Sequence, residues 1–460
     1  MKKLLLFAFV GGAIVLTGGT IDLNNLDNYA NQTVPNYIQR DNTPANNAIT
    51  DAGATLGRVL FYDKNLSANN AVACGSCHRQ QFAFSDTARL SVGLDGGVTG
   101  RHSMRLVNAR FAEEDNFFWD ERAISLEDQT TRPIQDHVEM GFSGTSGQPD
   151  IDSLIRKLEQ IPYYADLFTL AFGDANITEA RMQSALAQFV RSIQSFDSKF
   201  DIGLAAANGN LNANFTNFTT QENQGKALFL APPPAGGAGC QGCHRAPEFD
   251  IDPATLNNGV VATAADPQVL DLTNTRAPSL RDLVNPQGTL NGPLMHNGNF
   301  NSLATVVAHY NLVPLNASNT NLDPRLAGPG GNLGLTQAER DALVAFLRTL
   351  TGSNLYTDPK WSDPFDAQGN ITIVPITVGL ARLDRADIQL FPNPVSEYLR
   401  LALPARSFEL SIYSAAGQLL VQKNINGSHY ENMQQYPAGL LLVHLRDVES
   451  GETTVRQIVK

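Results

Sequence analysis

The chain has 460 residues, of which 42% are apolar and 17% are charged, and its formal net charge is −12. This apolar content is ordinary for globular proteins, and the length is typical of about three domains. The negative charge argues against a nucleic-acid-binding surface and is compatible with a basic redox partner.

The N-terminal residues have the pattern of a secretory signal peptide. Lys2 and Lys3 precede an apolar run over residues 4–16, and small residues follow it. This run is short for a membrane span, and no other stretch approaches the roughly 18 apolar residues that a span requires. We predict a signal peptide over residues 1–22 and an extracytoplasmic mature protein, with an uncleaved anchor as the alternative.

All four cysteines belong to two Cys-x-x-Cys-His motifs, which are Cys74-Gly-Ser-Cys77-His78 and Cys240-Gln-Gly-Cys243-His244. This pattern is typical of covalent c-type haem attachment, in which two thiols form thioethers to the haem vinyl groups and the histidine binds the iron. A zinc knuckle or a redox dithiol is the alternative, but neither needs a histidine directly after the second cysteine. The sequence therefore predicts two covalently attached haems.

The first motif lies between a polar lead and a strong helix. The Asn-rich lead, residues 23–48, has little periodicity and is predicted to be an arm on the surface. The closing helix has Thr178 as its N-cap, and its apolar face consists of Met182, Ala185, Leu186, Phe189, Val190 and Ile193. A first, N-terminal haem domain is predicted to cover residues 23–200.

The second motif has a similar setting. A low-complexity stretch (205–218), a helical pattern (224–230) and a Pro/Gly insertion (232–239) precede it. A capping box of Thr336 and Glu339 opens its closing helix, whose apolar residues are Leu343, Phe346, Leu347 and Leu350. A second, C-terminal haem domain is predicted over residues 201–352.

The composition changes after residue 352. Residues 353–387 are predicted to be a linker, and residues 388–460 contain short alternating runs separated by turn residues: 399–403, 408–413 and 440–445. The predicted fold class is mainly α, with two tandem cytochrome c-like haem domains followed by a small C-terminal β-sandwich.

Three residues between the motifs could act in haem chemistry. A carboxylate held above an iron can take a proton from hydrogen peroxide and return it to the leaving oxygen, and Glu139 and Gln129 are the polar candidates. Trp119 is a candidate electron relay. Taken alone, an aromatic cluster is more often core, and a lone glutamate is more often solvated.

Over roughly residues 50–352 the chain resembles the bacterial di-haem cytochrome c peroxidase and MauG family. The matching pieces are Phe118-Trp119-Asp120-x-Arg122-Ala123 with Gln129, Pro133, Glu139 and Met140; Ala277-Pro278-Ser279-Leu280-Arg281; Gly292-Pro293-x-x-His296-x-Gly298; and Leu335-Thr336 with Leu343-x-x-Phe346-Leu347. Asn108 also falls on a family position, and like His296 it is expected to have a supporting role.

This resemblance implies different roles for the two haems. The first haem, on His78, would react with peroxide, with Glu139 and Gln129 as the distal acid–base pair and Trp119 between the haems. The second haem, on His244, would take electrons from a small donor protein, either a cytochrome c or a cupredoxin. A homodimer is possible.

The sixth ligand of the second haem departs from the peroxidase pattern. In the peroxidases it is a methionine fourteen residues after the histidine of the His-x-Gly motif, whereas this chain has Tyr310 there. MauG, the related enzyme that oxidises tryptophans in a partner protein, has a tyrosine at this position. We predict Tyr310 as a metal ligand. His309, about 100° away around a helix, is the competing ligand, and simple packing of Tyr310 is the alternative.

His102 marks two further departures. It is the only histidine between His78 and Trp119, and it does not fall where many family members carry a histidine that blocks the peroxide site, so no reductive activation is expected. It falls instead where the family has an asparagine ligand for an interdomain calcium. Calcium prefers oxygen ligands, so calcium is a possible but doubtful cofactor, with carbonyl groups near Pro293 as remaining ligands.

The last 70 or so residues resemble the sorting domain of type IX secretion substrates from Bacteroidetes. The matching pieces are Phe391-Pro392-Asn393-Pro394, Ala416-Gly417-Gln418, Tyr436-Pro437-Ala438-Gly439-Leu440 and Thr454-Val455-Arg456-Gln457-Ile458-Val459-Lys460. The resemblance implies export through the periplasm by the type IX secretion machinery to the cell surface or the medium. An ordinary binding sandwich is the alternative.

Three functions follow from these patterns. The leading one is a secreted di-haem peroxidase that reduces hydrogen peroxide to water with electrons from a small redox protein or another one-electron donor. The second is a MauG-like oxidase that acts on a protein or an organic substrate. The third is a surface cytochrome that only transfers electrons.

Overall fold

The computed structural model describes residues 19–251, 253–327, 331–375 and 388–460. These residues form two compact units, the first ending at Pro375 and the second containing the C-terminal residues. The first unit consists of helices and long connecting loops, and the second is rich in β-strands. Within the described ranges, no helix combines the length and the apolarity needed to cross a membrane.

The described helices of the first unit are α1 (Asp51–Tyr62), α2 (Cys74–Cys77), α3 (Leu126–Thr131), α4 (Ile151–Leu158), α5 (Pro162–Phe172), α6 (Glu179–Ser192), α7 (Lys199–Ala206), α8 (Thr220–Leu230), α9 (Leu303–Asn311) and α10 (Gln337–Arg348). Two short sheets accompany them. In one, β1 (Thr20–Asp22) pairs in parallel with β4 (Thr372–Val374); in the other, β2 (His244–Arg245) pairs antiparallel with β3 (Asp250–Ile251).

Local sequence signals determine the closing helices as predicted. The Thr178 hydroxyl accepts a hydrogen bond from the Arg181 N–H and caps α6, whose predicted apolar face is buried. Thr336 and Glu339 form the expected reciprocal capping box at α10. The helix expected over 224–230 begins four residues earlier, at Thr220, because Thr219 and Glu222 form a capping box at its N-terminus.

The first hydrophobic core depends on a close crossing of α1 and α6. At Gly57 an added Cβ would lie only 2.0 Å from the Ala185 carbonyl oxygen, so only glycine allows this approach. One turn further along each helix, the rings of Phe61 and Phe189 pack with centroids 5.1 Å apart. The two helices flank the first Cys-x-x-Cys-His motif in sequence and so bring both ends of that half together.

The second core repeats this arrangement. α8 crosses α10 at Gly225, where an added Cβ would lie 1.9 Å from the Ala342 carbonyl oxygen. Phe229 and Phe346, again one turn further along, have ring centroids 5.2 Å apart. The first unit therefore contains two hydrophobic cores built on one packing plan.

The polar lead is exposed or half-buried at most positions and is anchored by two tyrosines. Tyr29 is completely buried, and its hydroxyl donates a 2.5 Å hydrogen bond to the Lys360 carbonyl. The Tyr37 hydroxyl donates to Asp201 over 3.0 Å. Because Tyr29 packs in the first core and Tyr37 against the second, the lead spans both halves.

A buried ion pair of the second half also contacts the end of the first half. Arg281 donates to the two carboxylate oxygens of Asp201 over 2.9 and 3.0 Å, and both side chains are almost inaccessible to solvent. Further guanidinium N–H groups donate to the carbonyls of Ser195 and Pro247. This pair therefore fixes the loop that carries Arg281 against α7 and the end of α6.

Two predicted boundaries differ from the structure. The sequence predicts a signal peptide over residues 1–22, of which 1–18 lie outside the described residues, but Thr20–Asp22 form β1 and Ile21 is buried in the first core. The sequence also predicts a linker over 353–387. Its described part, 353–375, instead packs on the first core through the buried side chains of Leu355 and Trp361, while residues 376–387 lie outside the described part.

The second unit is an antiparallel β-sandwich, as predicted. Its strands are β5 (Gln389–Phe391), β6 (Tyr398–Ala402), β7 (Ser407–Ser414), β8 (Leu419–Asn426), β9 (His429–Asn432), β10 (Leu440–Asp447) and β11 (Thr453–Val459). They form one sheet in the order β11-β10-β7-β8 and another in the order β5-β6-β9. Alternate residues of both sheets, including Leu401 and Leu410, fill the shared core.

The crossing of α8 and α10 makes Gly225 sensitive to substitution. We expect Gly225→Ala to destabilise the holoprotein by about 2 kcal/mol, because the new methyl group forces the two backbones apart. Thermal unfolding followed by circular dichroism should show a decrease of roughly 5 °C in Tm. Gly100→Ala is the control, since an added Cβ there meets no atom within 4 Å. Equal Tm values for the two variants would contradict the prediction.

Candidate active site

The first Cys-x-x-Cys-His motif adjoins a cavity of about 340 Å³. Cys74 and Cys77 form the single turn of α2, and His78, which follows it, lines the cavity. His78 Nδ1 lies 3.0 Å from the Phe84 carbonyl oxygen, so Nδ1 carries the proton and Nε2 is the nitrogen suited to bind iron. Burial lowers the pKa of His78 and so favours the neutral imidazole that a metal requires.

The same cavity brings together the predicted acid–base residues. Gln129 reaches it from α3, and Glu139 reaches it from the loop that follows. Burial raises the pKa of Glu139 to about 7; repulsion from Asp136 adds to this effect and attraction from Arg122 opposes it. A carboxyl group with such a pKa can both accept and donate a proton near neutral pH.

Trp119 is held firmly between the two cavities and lines both of them. Its indole N–H donates a 2.7 Å hydrogen bond to the His102 carbonyl, and its own carbonyl accepts from the N–H groups of Thr275 and Arg276. Its ring lies edge-on to the His296 ring, with centroids 6.2 Å apart. Trp119 therefore lies between the two cavities, and its role as an electron relay stays a prediction.

The second motif adjoins a larger cavity of about 440 Å³, and Cys240, Cys243 and His244 all line it. Its walls are mainly apolar and include Phe229, Leu280, Leu294, Leu303, Val307 and Leu343. Burial lowers the pKa of His244 to about 4. His244 is therefore neutral and suited to bind iron.

The structure separates the two candidate ligands on α9. Tyr310 lines the second cavity, and its hydroxyl oxygen accepts a 3.2 Å hydrogen bond from Asn258 Nδ2. His309 faces away from the cavity, since its Nε2 lies 2.9 Å from the Asn258 carbonyl oxygen and its ring packs edge-on to Phe300. Of these two neighbours, only Tyr310 is oriented toward the second motif.

Two residues of the second cavity were not predicted from the sequence. Asn258 and Met295 both line it, and Asn258 Nδ2 lies 3.5 Å from Met295 Sδ. Asn258 belongs to a loop without a periodic pattern, so no local signal identified it. The position of Met295 directly before His296 was the only available sign that it lies near the haem site.

His102 and Asn108 serve the loops around the cavities. His102 is buried, and its Nδ1 lies 3.1 and 3.2 Å from the carbonyl oxygens of Ala88 and Arg89. Its imidazole therefore directs an N–H group at these carbonyls and offers no oxygen ligand for calcium. Asn108 forms reciprocal hydrogen bonds with the Ser195 backbone and lines neither cavity.

The donor groups of both cavities fit a haem. Each motif provides paired thiols next to a neutral histidine, and the apolar walls suit a porphyrin ring. Arg105 lines both cavities, and one of its terminal nitrogens donates to the Ser279 carbonyl. Its buried Nε has no hydrogen-bond partner among the described residues. A buried guanidinium with an unused donor suits a carboxylate, such as a haem propionate.

Comparison with known proteins agrees with this geometry. Residues 51–208 match the family model described as di-haem cytochrome c peroxidase, and residues 389–460 match the secretion system C-terminal sorting domain. The methylamine utilization protein MauG of Methylophilus methylotrophus is 30% identical over 318 residues, which cover 68% of this chain and 86% of that protein. The cytochrome-c peroxidase IdrP1 of Denitromonas iodatirespirans is 26% identical over 359 residues, covering 69% of this chain and 86% of that protein.

A solved structure shows the same relationship. A MauG-like protein associated with microbial copper homeostasis superimposes with a TM-score of 0.58 at 27% identity, covering 73% of this chain and 99% of that one. The chain belongs to the di-haem cytochrome c peroxidase and MauG family, and it is a di-haem oxidoreductase with a C-terminal type IX sorting domain.

The two charged neighbours of Glu139 should shift its pKa in opposite directions. We expect Asp136→Asn to lower the Glu139 pKa below about 7, because the repelling charge is lost while the acceptor oxygen for the Glu139 N–H remains. Arg122→Gln should raise the pKa. The carboxyl stretching band in a pH-dependent infrared titration measures both shifts, and its loss in Glu139→Gln identifies the band. Shifts in the same direction would contradict this electrostatic assignment.

Proposed function

We propose that this protein is a secreted di-haem peroxidase that reduces hydrogen peroxide to water with electrons from a small redox protein. Thioethers to Cys74 and Cys77 and to Cys240 and Cys243 would hold two c-type haems, one in each of two tandem haem domains. The observation that carries the proposal is that Glu139, Gln129 and the candidate iron ligand His78 line one cavity.

The chain's own side chains would control the proton. When bound, the first haem supplies an iron position at which the O–O bond of peroxide is cleaved. Glu139, with its pKa of about 7, takes a proton from one peroxide oxygen and delivers it to the other, so that the leaving group departs as water. The Gln129 amide can hold the peroxide beside this carboxylate by hydrogen bonding.

Electrons for the reaction would enter at the second cavity. Two electrons and two protons convert one hydrogen peroxide into two waters, so the donor must deliver two equivalents. Trp119 lines both cavities and is fixed by hydrogen bonds at its indole and its carbonyl. Its ring is therefore the natural contact between the two redox centres.

Substitution of Glu139 tests the acid–base role. We expect Glu139→Gln to lower the rate of reaction with peroxide by about 10²- to 10⁴-fold, because glutamine cannot transfer the proton. The wild-type rate should fall as the pH decreases below about 7, where Glu139 becomes protonated, and the variant should lose this pH dependence. Stopped-flow absorbance measures both effects, with the exposed Glu159→Gln as control. An unchanged rate in Glu139→Gln would refute the assignment.

A MauG-like oxidase is the second candidate function, and Tyr310 in the second cavity favours it. The enzyme would then draw electrons from a protein or an organic substrate. Peroxide-oxidised enzyme mixed with a reduced small cytochrome separates the two functions, because rapid re-reduction supports the peroxidase and a long-lived oxidised state supports the oxidase. A cytochrome that only transfers electrons would not respond to peroxide at all.

The proposed location of the protein rests on its C-terminal sorting domain and its N-terminal signal pattern. The type IX sorting domain suggests export to the cell surface or the medium, and the N-terminal signal pattern suggests prior passage into the periplasm. The sorting domain would be removed, or exchanged for an anchor, after the outer membrane is crossed.

The orientation of α9 makes Tyr310 the proposed ligand of the second haem. We expect Tyr310→Phe to change the visible and electron paramagnetic resonance spectra of one haem, because the ligating oxygen is lost. His309→Gln should leave both spectra unchanged, since His309 contacts the Asn258 carbonyl instead of the cavity. The reverse result would identify His309 as the ligand.

A further inference from the structure

We propose that Asn258 is a positioning residue for Tyr310, and that its hydrogen bond to the tyrosine oxygen raises the reduction potential of the second haem. The inference rests on the proposed role of Tyr310 as an iron ligand. It adds a residue that controls this ligand from outside the coordination sphere.

The contacts of Asn258 determine the orientation of its amide group. Its Oδ1 accepts a 3.1 Å hydrogen bond from the Val260 N–H, so the Nδ2 group must face the cavity. There Nδ2 donates to the Tyr310 oxygen over 3.2 Å. A reversed amide would lose the bond from Val260, since its nitrogen could not accept, and its oxygen could not donate to a Tyr310 oxygen that binds iron.

The backbone of Asn258 is fixed as well. Its carbonyl oxygen lies 2.9 Å from Nε2 of His309, the residue that precedes Tyr310 on α9. The loop and the helix are thus joined twice, once through the backbone of Asn258 and once through its side chain. This double connection holds the amide and the phenol together and gives His309 a structural role.

The same amide group also contacts the other possible axial donor in the cavity. Nδ2 lies 3.5 Å from Met295 Sδ, and an amide NH₂ group has two hydrogens, so it can serve both acceptors. A thioether that accepts a hydrogen bond offers less electron density to a metal. Asn258 therefore holds the Tyr310 oxygen and the Met295 sulfur close together through one amide group.

A hydrogen bond donated to a ligand oxygen withdraws electron density from it. The oxygen then donates less charge to the iron, which destabilises the oxidised metal relative to the reduced metal and raises the potential. The effect is strengthened by the apolar walls of the cavity, since a hydrogen bond is stronger electrostatically at low dielectric.

The test is a spectroelectrochemical titration of the holoprotein. We expect Asn258→Leu to lower the midpoint potential of the second haem and to leave that of the first haem unchanged. Asn258→Asp retains the acceptor for the Val260 N–H and removes the donor to Tyr310. It should lower the same potential, and it serves as the second variant if Asn258→Leu folds poorly. Asn274→Leu is the matched control, because Asn274 lines the same cavity without a hydrogen bond to Tyr310.

The outcomes separate this inference from the proposed function. If Tyr310→Phe alters the second haem but neither Asn258 variant shifts its potential, the role of Asn258 is refuted and the ligand assignment stands. If Tyr310→Phe alters neither haem, the ligand assignment and this inference are both refuted.

Discussion

The buried ion pair between Arg281 and Asp201 holds the wall that the two cavities share. Both side chains are almost inaccessible to solvent, so removing one partner would leave an uncompensated charge at a cost of about 3–5 kcal/mol. Arg281 lies three residues after Pro278, which lines both cavities, and five after Arg276, which binds the Trp119 carbonyl. The ion pair therefore anchors the loop that carries Pro278 and Arg276, the second of which contacts the Trp119 carbonyl.

Sequence patterns predicted the parts of this molecule that are determined locally. Thr178 and Thr336 cap their helices through hydrogen bonds to residues three positions later. Each Cys-x-x-Cys-His motif likewise lies within five consecutive residues. The sequence could not decide between His309 and Tyr310, because they differ by one step around a helix and the tertiary packing of α9 determines which enters the cavity. Asn258 was not predicted because its role depends on the tertiary contact between its loop and α9.

Long-range pairing explains the incorrect boundaries. The segment expected to be a linker contains Trp361, whose indole N–H donates to the Ser192 hydroxyl at the end of α6. One aromatic residue in a polar stretch gives no periodic signal, yet its burial attaches the stretch to the first core. The segment packs on the core because Trp361 contacts Ser192, which lies 169 residues earlier in the chain.

The two candidate functions share one site and differ at the other. Glu139, Gln129 and His78 would serve either reaction at the first cavity, and the relatives of this chain include both MauG and cytochrome c peroxidase proteins. The surroundings of Tyr310 are where the two would diverge. A change from one proposed function to the other would therefore involve mainly the residues around the second cavity.

The parallel pairing of β1 with β4 has a consequence for biogenesis. It joins Thr20–Asp22 to Thr372–Val374, so the strand that completes this sheet is among the last parts of the helical unit to be synthesised. In the proposed export, both cysteine pairs would enter the periplasm well before that strand. The haem-attachment machinery would therefore act on an incompletely folded chain. β1 and β4 would pair only after both haems could be attached.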